Sequence, residues 1–496
     1  MALRVNKLPP PVFKYDPANM PDLEEKIKRW DDYDQLPEGM EFRKLIVNDD
    51  AILELPRALR DVAPGGSGEA ILVMDKVPYQ RDGVDLKPMV KAMLADAGFT
   101  VQVIELDGDK YGLVHPDFHE VGIVKSHLKP GVPVATVGSG VIADITKHAC
   151  FGFDQDHPDQ PKLALVVCMT ANSVPAYCSR LAIISKDGVK RTWPSRQPDV
   201  IIADLKILAD CPLEYNLGGI GDMCAMFPGF ADWYCGEYFG MAKFVWGSWW
   251  ILEDVDYLMF PYAGEIGKRS KVGMDVLARI LTLGGLTMTY ARESAPVSGF
   301  EHVVSHMLDM GADHFGRQIA NHGSQVAVAG IPALIAMGWL LDNLDPAKVD
   351  IEKCYPTVEA MEKRVKDTFA EIDPSGAMGA ECWNDYRQKL EGWHKARPQF
   401  EAFLADWDNQ KAHIESMITR VEPYVTALEK AKHPLYFEEL NVRIPESQGR
   451  WAYHNAHLMR KRFSSSDLIF FLGWLDEAWT DRVFARMHEL VDGARS

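Results

Sequence analysis

Between Ala70 and Leu205 the sequence alternates short apolar runs with stretches of helical period, and this alternation constrains the fold more than any other feature. The strand-like runs are 70–75, 100–106, 133–137, 163–170 and 199–205, and helical stretches lie at 84–98, near 115–128 and from Val141. Strands that alternate with helices form a parallel sheet with helices on its faces. We therefore expect an α/β, Rossmann-like domain.

The pattern changes on both sides of this region. Residues 1–60 are rich in proline and charge and have weak periodicity, so we expect a lead-in that packs on a later element. Residues 61–208 form the predicted α/β domain, and Asp187-Gly188 between two β-rich runs predicts a hairpin within it. Residues 209–496 have helical period or composition almost throughout, which predicts an all-helical C-terminal domain.

Charge and composition exclude several classes of partner. With 53 Lys+Arg against 71 Asp+Glu, the net charge of -18 predicts no nucleic-acid partner. The longest apolar run, Val326–Leu341, is interrupted by glycine and proline and is shorter than a membrane span of roughly 18 residues, so we expect a core helix and no membrane insertion. The N-terminus has no apolar signal region, and the eight cysteines lack paired CxxC spacing. These features favour free thiols in the cytoplasm.

A glycine turn between a strand and a helix is the first candidate site. Gly138-Ser139-Gly140 follows the run 133–137 and leads into a helix, where free N–H groups and close backbone approach suit a pyrophosphate. An ordinary strand-to-helix turn explains the glycines equally well. Asp75 ends the first strand of the unit, where a carboxylate accepts hydrogen bonds from a dinucleotide ribose or, alternatively, caps a turn.

A second group of residues suits a metal ion. Asp222 follows a glycine-rich turn, His302 and His306 are one helical turn apart, and His322 lies beside Gly323. A carboxylate with two imidazoles leaves coordination positions open, as catalytic metal sites require. Histidines at this spacing are also common as structural or surface residues, so both interpretations stay open at this point.

Four ordered segments resemble a known family. GSGVIADITK is similar to the GGGxxxDxxK nucleotide motif of the iron-containing alcohol dehydrogenases and dehydroquinate synthases. GGIGDMCAMFPGFADW resembles GFGDLLGKxxxxADW of the glycerol-1-phosphate dehydrogenases, and SGFEHVVSHMLDM with HGSQVAVAG resembles their SGxEHxxSHxxxM and HGEQVGVG. Further similarity at AHLMRKRFSSSDLIFFLG extends the resemblance from about Ala70 to Leu472. It implies a dehydroquinate synthase-like fold with a dinucleotide-binding and a metal-binding domain.

The resemblance also implies a role for individual residues. The metal ligands fall on Asp222, His302 and His322, which leaves His306 as a proton carrier or substrate contact. The remaining positions are Gly138, Ser139 and Gly140 at the pyrophosphate, Asp75 at the ribose, Thr170 and Ser173 near the nicotinamide, Asp144 and Lys147 in the nucleotide motif, and Lys190 near the active site. A surface ion pair is the alternative for Asp144 and Lys147, and a solvated hairpin charge is the alternative for Lys190.

Two positions depart from the family pattern. Pro175 stands where the family has an aspartate that contacts substrate hydroxyls, and Met226 stands in place of the lysine of GDLLGK. Because a lost polar contact changes substrate discrimination strongly, Pro175 predicts weak or absent activity on glycerol 1-phosphate and dihydroxyacetone phosphate, and better activity on a related alcohol or carbonyl. The alternative is that Tyr177, Ser173 or Lys190 takes over the contact and leaves the family substrate unchanged.

The resemblance implies a metal-dependent oxidoreductase that interconverts a small secondary alcohol, phosphorylated or not, and its ketone. The implied cofactors are NAD, which the Asp75 carboxylate favours over NADP, and one divalent ion of zinc, iron or nickel. We expect a small-molecule substrate and a homodimer. A dehydroquinate synthase-like lyase that eliminates phosphate, and a non-catalytic protein that binds metal and dinucleotide, are the alternatives.

Overall fold

The structure, a computed structural model, describes residues 8, 9, 11–31, 39–109, 112–186 and 189–496, without the side chains of residues 189 and 190. Contacts divide the chain into two compact units. We call them the sheet unit, Met1–Gly219 with Trp250–Glu293, and the helical unit, Ile220–Trp249 with Ser294–Ser496. The division differs from the predicted ranges, because the lead-in, residues 209–219 and the helical segment Trp250–Glu293 all belong to the sheet unit.

The sheet unit contains the strands of the described chain. They are β1 (Lys44–Asn48), β2 (Glu69–Asp75), β3 (Gln80–Arg81), β4 (Val84–Asp85), β5 (Thr100–Leu106), β6 (Val134–Gly138), β7 (Leu165–Met169), β8 (Leu181–Lys186), β9 (Val189–Pro194) and β10 (Val200–Asp204). Six of them form a parallel sheet in the order β1-β10-β7-β6-β2-β5. The α/β expectation is confirmed. Strands β8 and β9 pair antiparallel, as the hairpin prediction requires, and its Asp187-Gly188 turn lies outside the described residues.

The central strands show why the sequence pattern was informative. Every residue of β6, β7 and β10 is buried, because helices cover both faces of a parallel sheet and leave no solvated side. Strand β1 lies in the predicted lead-in, where Lys44 pairs with Val200 at the sheet edge. Its exposed ends weaken the apolar signal.

The strand order places a switch point between β2 and β6. Strand β2 lies between β5 and β6. The chain passes from β2 to β5 on one side of β2 and then to β6 on the other side of β2. The carboxyl ends of parallel strands diverge at such a point, which is where open α/β sheets bind their ligands. The cofactor residues expected from the sequence lie at this edge.

Seven helices of the described chain lie before the first unit boundary or across it. They are α1 (Met20–Ile27), α2 (Leu55–Val62), α3 (Leu86–Asp96), α4 (Phe118–His127), α5 (Gly140–Asp156), α6 (Leu205–Asp210) and α7 (Leu213–Cys224). Helices α2 and α3 bury Leu55, Leu59, Val90 and Leu94 in the same core cluster as residues from the central strands of the sheet. This burial of apolar side chains is the main favourable term for the unit.

The rest of the chain is mostly helical, as expected, and its described residues form no strand. The helices are α8 (Met226–Tyr238), α9 (Trp246–Leu252), α10 (Val255–Gly267), α11 (Lys271–Ala291), α12 (Phe300–Met310), α13 (His322–Asn343), α14 (Val358–Ala370), α15 (Ala377–Lys395), α16 (Arg397–Ala405), α17 (Trp407–Met417), α18 (Val421–Lys430), α19 (Glu446–Asn455), α20 (Ser465–Phe471) and α21 (Glu477–Arg495). Helices α10 and α11 belong to the sheet unit.

An aromatic cluster around Trp393 forms much of the helical unit's core. The fully buried Trp393 ring stacks on Phe471 at 4.6 Å between centroids, and its edge contacts include Phe239 at 5.3 Å. The indole Nε1 donates to the Cys354 carbonyl at 2.8 Å, so the ring is buried without an unpaired donor.

Two helices are long and apolar enough, by length and composition, to cross a membrane. They are α11 and α13, and their most apolar windows are 83% and 89% buried inside the structure. Burial on this scale is typical of core helices. The apolar run Val326–Leu341 lies within α13, in agreement with the predicted core helix.

Helix α7 approaches α13 through two glycines of the helical unit. A Cβ on Gly221 would stand 2.0 Å from the carbonyl oxygen of Gly323 and 3.0 Å from the Ala327 Cβ. No real side chain fits at that distance from a backbone atom, so the two helices can pack this closely only because residue 221 is glycine.

We expect Gly221→Ala to lower the free energy of unfolding by about 1–3 kcal/mol, since the added methyl must push α7 away from α13. Gly338→Ala is the matched control because it lies in α13, and a Cβ at that position would meet nothing within 4 Å. Its higher helix propensity should raise stability by up to about 1 kcal/mol. Urea unfolding of both variants measures the difference, and equal midpoints for Gly221→Ala and the parent would contradict the close-packing account.

Candidate metal centre and cofactor site

Three side chains that can bind a metal ion meet at one point in the helical unit. Asp222 lies near the end of α7, His302 in the first turn of α12, and His322 at the first residue of α13. One ligand atom from each lies within 4.8 Å of the other two. The Nε2 atoms of His302 and His322 are 3.5 Å and 3.8 Å from Asp222 Oδ1. We call these residues the metal triad.

The spacing of the metal triad suits a shared ion. Ligand atoms that lie about 2.0–2.2 Å from one tetrahedral ion stand about 3.3–3.6 Å from each other. The His302 and His322 distances to Asp222 are close to this range. Two imidazoles and one carboxylate leave a coordination position for a substrate oxygen, and zinc, iron and nickel all accept such ligands.

The second ring nitrogen of each histidine already has a partner. His302 Nδ1 lies 2.9 Å from Glu301 Oε1, and His322 Nδ1 lies 3.2 Å from Ser305 Oγ. A Nδ1–H that donates to an oxygen leaves the Nε2 lone pair directed at the centre of the triad. These contacts orient the two imidazoles as metal ligands.

Carboxylates make the site favourable for positive charge. Burial lowers the pKa of His302, but its contacts with Asp222 and Glu301 act in the opposite direction and raise it overall. The two carboxylates therefore favour positive charge at His302, and the same negative surroundings favour a cation at the metal triad.

Asp232 of α8 fixes the start of α12. Its Oδ2 accepts from the Phe300 N–H at 2.8 Å and its Oδ1 from the Ser465 N–H at 2.6 Å. Burial and, to a smaller extent, the charge of Glu301 together raise the pKa of Asp232 to about 8. The carboxyl satisfies N–H groups at the beginnings of α12 and α20, so it positions the helix that carries His302.

His306 lies one turn beyond His302 on α12. Its ring centroid is 6.2 Å from that of His302 and 5.4 Å from that of His322. His306 is half-buried. It lies beside the metal triad and is not one of its three residues. Lys190 lies in β9 in register with Ser185, and its side chain lies outside the described part of the chain.

The predicted cofactor residues gather at the switch point of the sheet. Met74 pairs with Val137, so Asp75 and Gly138 follow side by side at the ends of β2 and β6. The Thr170 N–H donates to the Gly138 carbonyl at 3.3 Å, directly after β7. Three neighbouring strands therefore bring Asp75, Gly138 and Thr170 to one edge.

The glycine turn is closely packed. A Cβ on Gly138 would lie 2.7 Å from the Ile142 Cβ, and one on Gly140 would lie 2.6 Å from Val174 Cγ2. The latter contact brings the segment that carries Ser173 against the turn. Ser139 caps α5 without a side-chain hydrogen bond, so the helix's first N–H groups have no partner from that residue or from the helix. This arrangement suits an anionic ligand.

Asp75 has partners within the protein. Its carboxylate lies 2.6 Å from Lys87 Nζ and accepts from the Tyr79 hydroxyl at 2.8 Å and from the Val77 N–H at 3.2 Å. The residue is 4% exposed. Asp75 therefore caps the turn that follows β2. The Lys87 ammonium balances the negative charge of the Asp75 carboxylate, the group that the sequence places at the ribose.

Asp144 and Lys147 form a buried ion pair, so the surface-pair interpretation is wrong. Lys147 Nζ is 2.9 Å from Asp144 Oδ1 and donates to the carbonyl oxygens of Ala176 and Leu181. Asp144 Oδ2 accepts from the Ile183 N–H at 3.0 Å. The pair holds α5 against the segment around 176–183, a contact that sequence spacing does not show.

The two departures from the family pattern are both buried. Pro175 begins a short 3-10 turn, Pro175–Cys178, and its carbonyl oxygen would lie 2.5 Å from a Cβ on Gly285. Met226 is the first residue of α8. The backbone at position 175 is therefore packed closely against Gly285, and the proline side chain supplies no carboxylate there.

Sequence reasoning missed the partners Glu301, Ser305 and Lys87. Glu301 lies in the same motif as His302, but adjacent helical residues point in directions about 100° apart, so spacing gave no reason to join them. Lys87 is separated from Asp75 by a turn and the β3–β4 hairpin. The one available signal was that Glu301 directly precedes the candidate ligand His302 in the sequence.

Comparison with known proteins finds similar dehydrogenases. The family model described as iron-containing alcohol dehydrogenase matches residues 46–212. The chain is 25% identical to a glycerol-1-phosphate dehydrogenase [NAD(P)+] of Bacillus subtilis, over 80% of this chain and 84% of the relative. It is also 25% identical to a glycerol-1-phosphate dehydrogenase of Pyrococcus horikoshii, over 59% and 78%.

Solved structures show the same fold. A glycerol dehydrogenase from Schizosaccharomyces pombe aligns with a TM-score of 0.53 and 12% identity, covering 90% of this chain and 92% of the other. A 1,3-propanediol oxidoreductase aligns with a TM-score of 0.51 and 14% identity, covering 91% and 97%. Residues 46–212 are thus similar to the iron-containing alcohol dehydrogenases, and most of the chain is similar to glycerol-1-phosphate dehydrogenases.

Proposed function

We propose that the protein is a metal- and NAD(P)-dependent dehydrogenase that interconverts a small polyol phosphate, with glycerol 1-phosphate as first candidate, and its ketone. The observation that carries the proposal is the metal triad with its oriented imidazoles. The named relatives are glycerol-1-phosphate dehydrogenases, which supports this substrate class over the changed substrate expected from Pro175.

Asp222, His302 and His322 would hold the divalent ion. When bound, such an ion supplies a Lewis acid that lowers the pKa of an alcohol and stabilises developing negative charge. Glu301 and Ser305 keep the imidazole Nε2 atoms directed at it. Asp232 keeps the start of α12 in place.

His306 is the proposed proton carrier. It is half-buried one helical turn beyond His302, and an imidazole near neutral pH can take a proton from a substrate oxygen or from water and pass it outward. Its position beside the triad, with its ring 5.4 Å from that of His322, supports this role.

The glycine turn at residues 138–140 and the start of α5 would bind the pyrophosphate of the nicotinamide cofactor, whose ring accepts or returns the hydride. The segment of Thr170 and Ser173 lies against this turn and would position the cofactor. Asp144 and Lys147 hold the segment that follows, around residues 176–183, against α5.

The eight cysteines are all free, and seven are buried, which supports the proposal of a reducing cytoplasmic location. The homodimer stays a prediction.

We expect alanine at Asp222, His302 or His322 to remove bound metal and turnover together. His306→Ala is the matched comparison: it should retain the metal, while kcat falls by about 10²–10⁴-fold because the proton carrier is lost. Elemental analysis and steady-state rates measure both effects. Parental metal content in the His302→Ala and His322→Ala proteins would contradict the ligand assignment.

Because Lys87 balances Asp75, we infer that the parent discriminates between NADH and NADPH by less than roughly tenfold. Asp75→Asn leaves the lysine charge unbalanced and should shift preference toward NADPH, whereas Lys87→Met should shift it toward NADH. Fluorescence titrations give the two dissociation constants. If the ratio of the NADH and NADPH dissociation constants is unchanged in both variants, Asp75 and Lys87 do not distinguish the two riboses.

Reduction of dihydroxyacetone phosphate tests the substrate class directly. We expect a kcat/KM within the common enzymatic range of roughly 10⁴ to 10⁸ M⁻¹s⁻¹, with net oxidation of NADH or NADPH and no release of inorganic phosphate. Phosphate release would favour the lyase alternative. Turnover of other ketones without activity on dihydroxyacetone phosphate would instead support a changed substrate, as predicted from Pro175.

A further inference from the structure

Two arginines lie against the loop that precedes α12. Arg460 Nη1 donates to Ser298 Oγ at 3.2 Å, and Arg462 Nη1 donates to the Ser298 carbonyl at 3.1 Å. Arg462 Nη2 also lies 3.4 Å from Ser294 Oγ. Ser298 precedes His302 by four residues. Both guanidinium groups therefore lie close to the chain segment that carries a metal-triad histidine.

The arginine segment is held in place by a buried lysine. Lys389 Nζ donates to the carbonyl oxygens of His457 at 2.7 Å and Met459 at 3.1 Å, and it pairs with Asp467 Oδ1 at 2.8 Å. Arg460 itself has a φ of 62°, in the left-handed region that non-glycine residues rarely adopt. Such backbone strain persists where the surroundings enforce it, and it is common at ligand sites.

Arg460 has an unusual electrostatic environment. Burial and the charge of Arg462 lower the pKa of its guanidinium, Glu301 and Asp385 act in the opposite direction, and the resulting pKa is about 10. Within the described chain no carboxylate forms an ion pair with Arg460. A guanidinium offers five donors, and Ser298 uses one of them. An anion at this point would compensate the charge and fill the donors.

We propose that Arg460 and Arg462 bind the phosphate group of the substrate, an inference that rests on the proposed function. Planar guanidinium groups match the oxygens of a phosphate in paired hydrogen bonds. The ester oxygen of a phosphorylated ketone such as dihydroxyacetone phosphate is separated from the reacting carbon by a single carbon. A phosphate site beside the Ser298 loop would therefore place the reacting oxygen near His302. On a chain of net charge -18, this local pair of cations selects phosphorylated over unphosphorylated substrates.

The test compares Arg460→Gln with Arg460→Lys, which keeps the charge, and with Lys461→Gln, which removes a charge from the exposed neighbouring residue. For each protein, kcat and KM are measured for dihydroxyacetone phosphate and for dihydroxyacetone. Arg460→Gln should lower kcat/KM for the phosphorylated ketone by about 10- to 100-fold, the usual effect of losing a hydrogen bond to a charged group. It should change the unphosphorylated reaction by less than about threefold. Arg460→Lys should recover part of the loss, and Lys461→Gln should behave as the parent.

Calorimetry with inorganic phosphate supplies a readout that needs no turnover. The metal-loaded parent should bind phosphate, and Arg460→Gln should weaken binding by a similar factor while metal content stays the same. Equal losses on both ketones, unchanged phosphate affinity, or an effect confined to the KM for NADPH would each overturn the proposal. If Arg460 binds phosphate in a parent that does not reduce dihydroxyacetone phosphate, the phosphate site stands and the proposed substrate is wrong.

Discussion

The backbone of α7 lies directly against the first turn of α13, and the geometry of the metal triad depends on this contact. Gly221 faces the carbonyl oxygen of Gly323 at a distance that no Cβ allows. The next residue after Gly221 is Asp222, and the residue before Gly323 is His322. The absence of one methyl group thus allows two ligands from helices far apart in sequence to approach a common point.

Two buried carboxyl groups position the helix and the imidazole ring that complete the metal triad. Glu301 holds the His302 ring, and Asp232 accepts hydrogen bonds from the first N–H groups of α12 and α20. Such groups are costly to bury unless they are paired or face a cation. A divalent ion among Asp222, His302 and His322 would add the positive charge that this acidic surrounding favours. Glu301 and Asp232 therefore both hold the local structure and contribute to the acidic surroundings of the metal triad.

The sequence predicted the features that leave a periodic pattern. Strands β6, β7 and β10 are fully buried and read as continuous apolar runs, and the glycine turn follows one of them directly. Strand β1 was missed because it lies at the sheet edge with exposed ends. The burial of Lys147 depends on carbonyl groups more than 25 residues away, and the Lys87–Asp75 pair spans a hairpin. Helical or strand periodicity contains no information about such partners.

X-ray absorption on the purified, metal-loaded protein tests whether Asp222, His302 and His322 bind the ion, because it reports the atoms in contact with the metal. We expect one tightly bound divalent ion per chain with two imidazole nitrogens and one carboxylate oxygen, at about 2.0–2.2 Å for zinc. One imidazole contribution should disappear in His322→Ala. A spectrum without imidazole ligands, or one that His322→Ala leaves unchanged, would contradict the claim that Asp222, His302 and His322 form the metal centre.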